Sequence, residues 1–353
     1  MPFTNTTAAA YGILAMHAID MFRVGGSLTP PAAPGLTAAG WTIRAYITGN
    51  DTLFAKGPLQ LKGDVVYYGY LAERAPGELA AVIRGTDDFV EWVEDGEFPA
   101  ILYAPQVPLP ATQTSIFVEQ GFWTLYASMQ LISPTGAALG ALAPAITNTA
   151  GSTGIVTLVG HSLGAALATY LTLDLARGGL GARVSACLFA SPQTGNQAFV
   201  TLFDQMIGDY RLFNYILDLV PRVPLGLGYM PLPRRTVLQP ATAEANIRVN
   251  IGCNHHVICY CAMLDYEGTM QATTPVPAGE EVAPLVLWAR KPENSVWPNS
   301  WSAISPVLCL CDGCRKKPVL LATSKEGLNK ELGIVGPLFS ALKFGGCRRP
   351  TPQ

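Results

Sequence analysis

The chain has 353 residues, of which 49% are hydrophobic and 14% are charged, and its formal net charge is -2. This length is sufficient for one large α/β domain or two smaller ones, and the mean hydropathy of +0.27 is higher than in a typical soluble enzyme. The near-neutral charge, without a long basic run, excludes a nucleic-acid partner, whereas the apolar surplus suits a lipid-like substrate.

The N-terminal segment predicts a helix rather than a secretory signal or a membrane span. Residues 1–7 lack the positive charges of a signal peptide. The apolar run 8–22 is interrupted by His17 and Asp20 and is too short to cross a bilayer. We therefore expect a helix over residues 7–22 and no transmembrane segment, and an exported mature form and a cytoplasmic protein both stay open.

Alternating strand and helix patterns predict an α/β fold. The predicted strands are residues 41–48, 64–73, 79–83, 155–159, 183–190 and 210–217. The second and third flank a short Arg-Ala-Pro-Gly turn and are expected to pair as a hairpin. Helical patterns separate the later strands, which implies right-handed crossovers and a mixed, mostly parallel sheet with helices on both faces.

Residues 160–164 read Gly-His-Ser-Leu-Gly, which is the Gly-x-Ser-x-Gly pattern of a nucleophile elbow. The β-branched run 154–159 precedes it, and the Ala/Leu-rich helical run 165–177 follows it. Glycines on both sides allow the chain to turn sharply from strand to helix. The pattern predicts Ser162 as a nucleophile, with a plain strand-to-helix turn as the alternative.

A nucleophilic serine needs a base, and the chain has four histidines. His161 belongs to the elbow, and His17 lies on the predicted N-terminal helix, where a packed or surface role is more common. The remaining pair, His255 and His256, lies in a loop that enters a late helix. We expect one of the two to be the base, and the residues alone leave the choice open.

The acid should follow a strand between the nucleophile and the histidine. Asp218 fits, because an apolar run precedes it and prolines follow it. There its carboxylate would orient the imidazole and stabilise the imidazolium. We expect the other aspartates of this region, Asp174, Asp204 and Asp209, to face solvent.

Acyl transfer also needs hydrogen-bond donors for the developing oxyanion. The backbone N–H of Leu163, directly after the nucleophile, is one candidate. The second is Thr86, which follows the predicted strand 79–83 and carries both an N–H and a hydroxyl.

Several blocks of sequence resemble, in the same order, the class 3 lipases, which include the filamentous-fungal triacylglycerol lipases. The blocks are residues 81–86 with Trp92 and Asp95 after them, 118–122, 160–164, 189–196 and 218–224. The resemblance covers about residues 60–265. It implies an α/β-hydrolase fold that hydrolyses carboxylic esters of water-insoluble lipids, with Ser162, Asp218 and a histidine as the triad and with Thr86 and Leu163 as oxyanion donors.

The resemblance implies three further features. The amphipathic segment at about residues 87–98 would be a lid that opens at a lipid surface. The spacing to Tyr260 favours His255 as the catalytic histidine. Glu119 stands where the family often has histidine; this position is outside the triad, so the departure concerns only local support of the oxyanion turn.

The sequence divides into a hydrolase domain over residues 1–291 and a Cys-containing appendage over residues 292–353. Within the appendage, Cys309, Cys311 and Cys314 could reach one metal ion, and Cys347 could complete a tetrahedral zinc site. Disulfides or free thiols are the alternatives, because the spacing differs from paired Cys-x-x-Cys motifs. No metal is assigned to the catalytic residues.

Together these features predict a cofactor-free serine ester hydrolase, a triacylglycerol lipase that forms an acyl-enzyme on Ser162. Its partner would be a lipid or ester substrate at an interface. A phospholipase A1 or short-chain carboxylesterase with the same triad is the enzymatic alternative, and a lipid-binding protein on a hydrolase scaffold is the non-enzymatic one. Acyl-chain preference, natural substrate and oligomeric state stay open.

Overall fold

The computed structural model describes residues 3–51, 64–86, 98–105, 115–224, 228–239 and 254–273. Of the predicted lid, only Phe98 is among them. The appendage 292–353, with the four cysteines of the predicted zinc site, also lies outside the described residues. The lid, the domain boundary and the state of these cysteines therefore stay predictions.

The described residues form one large sheet and one small sheet. Their strands are β1 (Thr42–Asn50), β2 (Val65–Ala75), β3 (Glu78–Ile83), β4 (Ala100–Leu102), β5 (Phe117–Glu119), β6 (Gln130–Ile132), β7 (Ala138–Ala141), β8 (Ile155–His161), β9 (Val184–Phe189), β10 (Gly195–Asn196), β11 (Tyr210–Tyr215), β12 (Tyr229–Met230) and β13 (Arg235–Leu238). The large sheet has nine strands in the order β13-β11-β9-β8-β3-β2-β1-β6-β7, and the small sheet has four in the order β12-β10-β5-β4.

Helices cover both faces of the large sheet. They are α1 (Asn5–Arg23), α2 (Pro34–Ala38), α3 (Gln120–Ala127), α4 (Leu142–Ala150), α5 (Leu163–Leu175), α6 (Gln197–Met206), α7 (Val257–Leu264) and α8 (Tyr266–Thr273). Helices α3 to α6 share one apolar core with the sheet, and α1 and α7 share the other. None of the helices in the described ranges is long and apolar enough to cross a membrane.

The alternation of side chains along β2 explains how one sheet serves two cores. Tyr67 belongs to the core beneath α1 and α7 and Tyr68 to the core beneath α5, because successive side chains of a strand point to opposite faces. Tyr70 shares the face of Tyr67, since a shift in the β1–β2 register between Tyr67 and Gly69 interrupts the alternation. Tyr70 also donates a hydrogen bond to the Leu14 carbonyl of α1 at 2.9 Å. On the same helix, His17 is packed rather than exposed, and burial lowers its pKa to about 4.

The sheet is mixed, as predicted. Strands β3, β8, β9, β11 and β13 pair in parallel, whereas β2 runs antiparallel to both β1 and β3. The carboxyl ends of the parallel strands therefore meet at one edge, where ligands bind in open α/β sheets. With a serine elbow directly after β8, this arrangement confirms the α/β-hydrolase fold class expected from the sequence.

Helix α5, which follows the elbow, lies inside the fold. Each of its residues is buried, including the polar Thr169, Thr172 and Asp174, because the helix is enclosed between the sheet and neighbouring helices. The predicted N-terminal helix, the β2–β3 hairpin and the later parallel strands are confirmed, with ends shifted by a few residues. The small second sheet was not predicted, because its strands have only two or three residues and show no periodicity.

The prediction that Asp174 faces solvent is wrong. Its side chain is buried near the end of α5. It accepts hydrogen bonds from the hydroxyls of Tyr126 at 2.7 Å and Tyr103 at 3.2 Å. Both tyrosines come from distant segments, and their donors allow a carboxylate to lie in the core. Asp204 and Asp209 are partly exposed.

Candidate active site

Ser162 connects β8 to α5 through a strained backbone. Its φ of 58° and ψ of -130° lie outside the usual regions for a residue with a side chain. Its N–H donates to the Phe189 carbonyl of the neighbouring parallel strand at 3.0 Å. A Cβ at Gly164 would lie only 2.2 Å from the Ile83 carbonyl oxygen, so the start of α5 needs glycine to pack against the end of β3. This turn places the Ser162 side chain at the carboxyl-end edge of the sheet, where it is buried.

The structure brings Ser162, His255 and Asp218 into one chain of hydrogen bonds. His255 Nε2 lies 2.7 Å from Ser162 Oγ. On the other side of the ring, His255 Nδ1 lies 2.8 Å from Asp218 Oδ2. The carboxylate can only accept, so Nδ1 carries the proton and the Nε2 lone pair faces the serine hydroxyl. This tautomer can take a proton from Ser162.

The Asp218 carboxylate is held by donors to both of its oxygens. The Val220 N–H donates to Oδ1 at 2.9 Å, and the Tyr260 hydroxyl donates to Oδ2 at 2.5 Å. The Tyr260 oxygen in turn accepts the Tyr215 N–H at 3.0 Å. Burial and the adjacent Asp218 charge raise the pKa of Tyr260 well above its usual value, so the hydroxyl keeps its proton. These bonds fix the side of Asp218 that faces His255.

His161 contacts the same histidine from β8. Its Nε2 donates to the His255 carbonyl oxygen at 2.6 Å, and the two rings lie 4.7 Å apart. Burial, with a smaller contribution from His255, lowers the pKa of His161 well below its usual value. His161 is therefore neutral, and its Nδ1 has no hydrogen-bond partner within the described part of the chain. The residue excluded as a base instead supports the backbone of His255.

The two adjacent histidines occupy different environments. His255 makes the bonds to Ser162 and Asp218 described above, whereas His256 precedes the first turn of α7. The His256 carbonyl accepts the Cys259 N–H at 3.0 Å. The geometry therefore favours His255 over His256 as partner of the serine, the choice that the spacing to Tyr260 also favours.

Leu163 and the segment that carries Thr86 both border Ser162. Leu163 is the first residue of α5, so its N–H has no acceptor within the helix and lies at the positive end of the helix dipole. On the β3 side, a Cβ at Gly85 would lie 3.1 Å from Ser162 Cβ, and Thr86 follows Gly85 directly. The backbone of residues 84–86 therefore borders the nucleophile.

Glu119 supports a helix rather than the oxyanion turn. Its carboxylate accepts the N–H groups of Phe122 at 2.6 Å and Gly121 at 3.0 Å, and so caps α3. Burial raises its pKa to about 7, although these two bonds act in the opposite direction. The departure from the family's usual histidine thus concerns the start of α3.

Sequence reasoning did not identify Arg84, His161 or Tyr260 as site residues. The sequence feature that could have identified Arg84 is its position, a charged residue between a buried strand and a glycine. Within the described ranges, no group of three or more His, Cys, Asp or Glu side chains could hold a metal ion. Three cysteines of the described ranges, Cys187, Cys259 and Cys261, are buried.

A family model described as "Lipase (class 3)" matches residues 80–227, a narrower range than the 60–265 expected from the sequence. The chain is 29% identical over 227 residues to Phospholipase A1-II 6 of Oryza sativa subsp. japonica, which covers 54% of each protein. It is 41% identical over 78 residues to the secreted mono- and diacylglycerol lipase LIP1 of Malassezia globosa, covering 21% of this chain and 25% of that protein. The chain thus spans about half, or less, of the length of these relatives.

Among solved structures, the chain is similar to the Rhizomucor miehei lipase propeptide complex. The TM-score is 0.49 at 18% identity, and the similarity covers 73% of this chain and 78% of the other.

Proposed function

We propose that this chain, whose residues 80–227 match the family model of the class 3 lipases, is a serine hydrolase that cleaves carboxylic esters of acylglycerols. The observation that carries the proposal is the hydrogen-bonded series Ser162, His255 and Asp218 at a nucleophile elbow. Its order along the chain, serine, acid and then histidine, is that of α/β-hydrolases.

In the first half of the reaction, Ser162 Oγ attacks the ester carbonyl carbon while His255 Nε2 takes the hydroxyl proton. Asp218 stabilises the resulting imidazolium through the bond to Nδ1. The oxyanion of the tetrahedral intermediate accepts hydrogen bonds from the N–H groups of Leu163 and Thr86. The imidazolium then gives its proton to the leaving alcohol, and the acyl group stays on Ser162.

In the second half, a water molecule attacks the acyl-enzyme, and His255 acts as the base again. The second tetrahedral intermediate uses the same oxyanion donors. It collapses to a free fatty acid as the acyl–Oγ bond breaks and the His255 imidazolium returns its proton to Ser162 Oγ. This cycle needs no cofactor. We also propose that the segment 87–98, whose sequence carries Phe89, Val90, Trp92 and Val93, is a lid over the site.

Phospholipase A1 activity is the second candidate, because the chain is similar over about half its length to a protein named Phospholipase A1-II 6. The same acyl transfer would occur, and only the leaving group would differ, a lysophospholipid instead of a diacylglycerol. Initial rates on emulsified triacylglycerols, on phosphatidylcholine vesicles and on soluble p-nitrophenyl esters of several chain lengths separate the candidates. The highest kcat/KM among these substrates identifies the substrate class.

The test of the reaction itself is the Ser162→Ala variant, with Ser185→Ala on the neighbouring strand β9 as matched control. We expect the first variant to fold and to lose turnover by a factor of about 10⁴ or more, because it lacks the attacking oxygen. The Ser185→Ala control should retain the turnover of the unmodified chain. Undiminished turnover by Ser162→Ala contradicts the proposal, and full lipid binding without turnover by the unmodified chain favours the lipid-binding alternative.

A further inference from the structure

The peptide group between Gly85 and Thr86 is held by a buried arginine. We propose that Arg84 is a positioning residue that aims the Thr86 N–H at the oxyanion by fixing the carbonyl oxygen of the same peptide group. This inference rests on the proposed function, because it assigns a role within that reaction.

Arg84 bonds to two backbone carbonyls. Its guanidinium Nη1 donates to the Gly85 carbonyl oxygen at 2.8 Å, and its Nε donates to the Tyr67 carbonyl oxygen at 2.9 Å. The residue is only 3% exposed, although it follows β3 at the open edge of the sheet. The second bond anchors the guanidinium to β2, so the Gly85 oxygen is tied to the sheet.

Two aromatic rings fix the plane of the guanidinium. Its Cζ lies 3.5 Å from the centre of the Phe22 ring and 4.6 Å from that of Tyr68. The Arg84 backbone N–H also donates to the Tyr68 carbonyl at 2.8 Å. Because Arg84 forms a planar fork and stacks on aromatic faces, its donors point in fixed directions.

The planarity of the peptide bond transmits this restraint to Thr86. In a trans peptide, the carbonyl of Gly85 and the N–H of Thr86 lie in one plane and point in opposite directions. A guanidinium that holds the oxygen on one side therefore holds the N–H on the other. Its positive charge also polarises the peptide group, which strengthens the N–H as a donor.

Gly85 creates the need for such a restraint. A side chain cannot be accommodated there, since a Cβ would lie 2.9 Å from the His161 carbonyl oxygen and 3.1 Å from Ser162 Cβ. Glycine is also the residue whose flanking peptide groups rotate most freely. The close approach to Ser162 thus requires a flexible residue, and Arg84 removes the flexibility that would let the Thr86 N–H turn away.

The test uses Arg84→Met, which keeps an apolar stem and removes both donors. We expect kcat to fall by about 10- to 100-fold with KM nearly unchanged. This loss is smaller than the about 100- to 1,000-fold effect of removing an oxyanion donor, because the Thr86 N–H is misaligned and not removed. The affinity for an alkyl boronic acid, which forms a tetrahedral adduct with the serine, should fall by the same factor. Arg74→Met is the matched control, because Arg74 also stacks on a ring, Trp41 at 5.0 Å, but is exposed.

A double-mutant cycle with Thr86→Val separates positioning from support of the fold. If Arg84 aims the residue 86 peptide, removal of the Thr86 hydroxyl should cost less in the Arg84→Met background than in the unmodified chain, because both donors have already moved. Additive losses would show that Arg84 only supports the fold. Arg84→Lys, which keeps the charge but cannot bond both carbonyls in the same geometry, takes the place of the methionine variant should that one not fold.

The outcomes distinguish this inference from the proposed function. An unmodified chain that hydrolyses esters, together with an Arg84→Met variant of equal kcat and equal boronic-acid affinity, overturns the role of Arg84 alone. An unmodified chain that neither hydrolyses esters nor binds the boronic acid overturns both proposals.

Discussion

The two sides of the candidate site are built in different ways. On the nucleophile side, backbone geometry dominates: Ser162 has a positive φ, Gly164 packs against the end of β3, and the candidate oxyanion donors include two peptide N–H groups. On the acid–base side, side chains dominate: His255, Asp218 and Tyr260 are joined by hydrogen bonds between their polar ends. The geometry of the nucleophile side thus depends on the conformation of a strand and a turn, and that of the acid–base side depends on the polar groups of three side chains.

The two sides should therefore respond differently to substitution. A side chain of the acid–base group can be exchanged with little change in the backbone, so its loss should appear mainly in kcat. A substitution in the elbow alters the packing of α5 against β3, so it should lower the free energy of unfolding as well as kcat. His161 connects the two sides, because it lies on β8 and donates to the His255 carbonyl.

The largest expected effect separates the two adjacent histidines. His255→Ala should lower kcat by about 10⁴-fold, because Ser162 then has no base. His256→Ala should change kcat by less than about 10-fold, and both variants should retain the melting temperature within a few degrees. Steady-state kinetics with a p-nitrophenyl ester measures the ratio, and a larger loss in the His256 variant would reverse the assignment of the base.

The second prediction concerns the backbone side. Gly164→Ala should destabilise the protein by about 3 kcal/mol or more and reduce activity with it, since the added Cβ would lie 2.2 Å from the Ile83 oxygen. Gly208→Ala is the matched control, because its Cβ would meet no atom within 4 Å. Urea unfolding measures both, and equal stability of the two variants would show that the elbow is not tightly packed.

The third prediction uses pH to test the connection between the sides. Burial holds the pKa of His161 well below its unfolded value of 6.5, so the stability from neutral His161 is present above pH 6.5 and lost as pH falls below it. Over that range, the free energy of unfolding should fall with a slope up to about 1.4 kcal/mol per pH unit steeper in the unmodified chain than in His161→Gln. Urea titrations between pH 5 and 8 measure the slopes. Parallel curves would mean that His161 does not titrate with folding.

The smallest expected effect lies in the support of Asp218. Tyr260→Phe should lower kcat by about 10-fold, because it removes one donor from the carboxylate that orients His255. Tyr46→Phe loses a buried tyrosine bond of similar length, to the Pro30 carbonyl, away from the site, and should leave kcat unchanged. Equal kcat values for the two variants would assign Tyr260 a purely structural role.

The sequence was informative wherever chemistry and local pattern coincide. The Gly-x-Ser-x-Gly segment between a strand and a helix predicted the turn at Ser162, and the small number of histidines restricted the base to two adjacent residues. Asp218 could be singled out because it follows a strand. The resemblance to class 3 lipases, now supported for residues 80–227, added the preference for His255.

The remaining contacts depend on segments that meet only in the folded chain. In the sequence, Arg84 looks like an ordinary arginine at the end of a strand, and only the folded chain places it against the rings of Phe22 and Tyr68. The buried position of Asp174 could not be predicted, because its tyrosine partners lie 48 and 71 residues away. Sequence patterns report local structure and residue type, whereas the partner of a buried polar group is set by tertiary packing.

Covalent labelling of Ser162 by an alkyl organophosphonate, measured by intact mass and by peptide mapping, tests directly whether this residue is the nucleophile. We expect one adduct per chain on Ser162, formed at least about 10³-fold more slowly in His255→Ala, because the serine then has no base. An unmodified chain that forms no adduct, or one that is labelled at another serine, would contradict the assignment of Ser162 as the nucleophile.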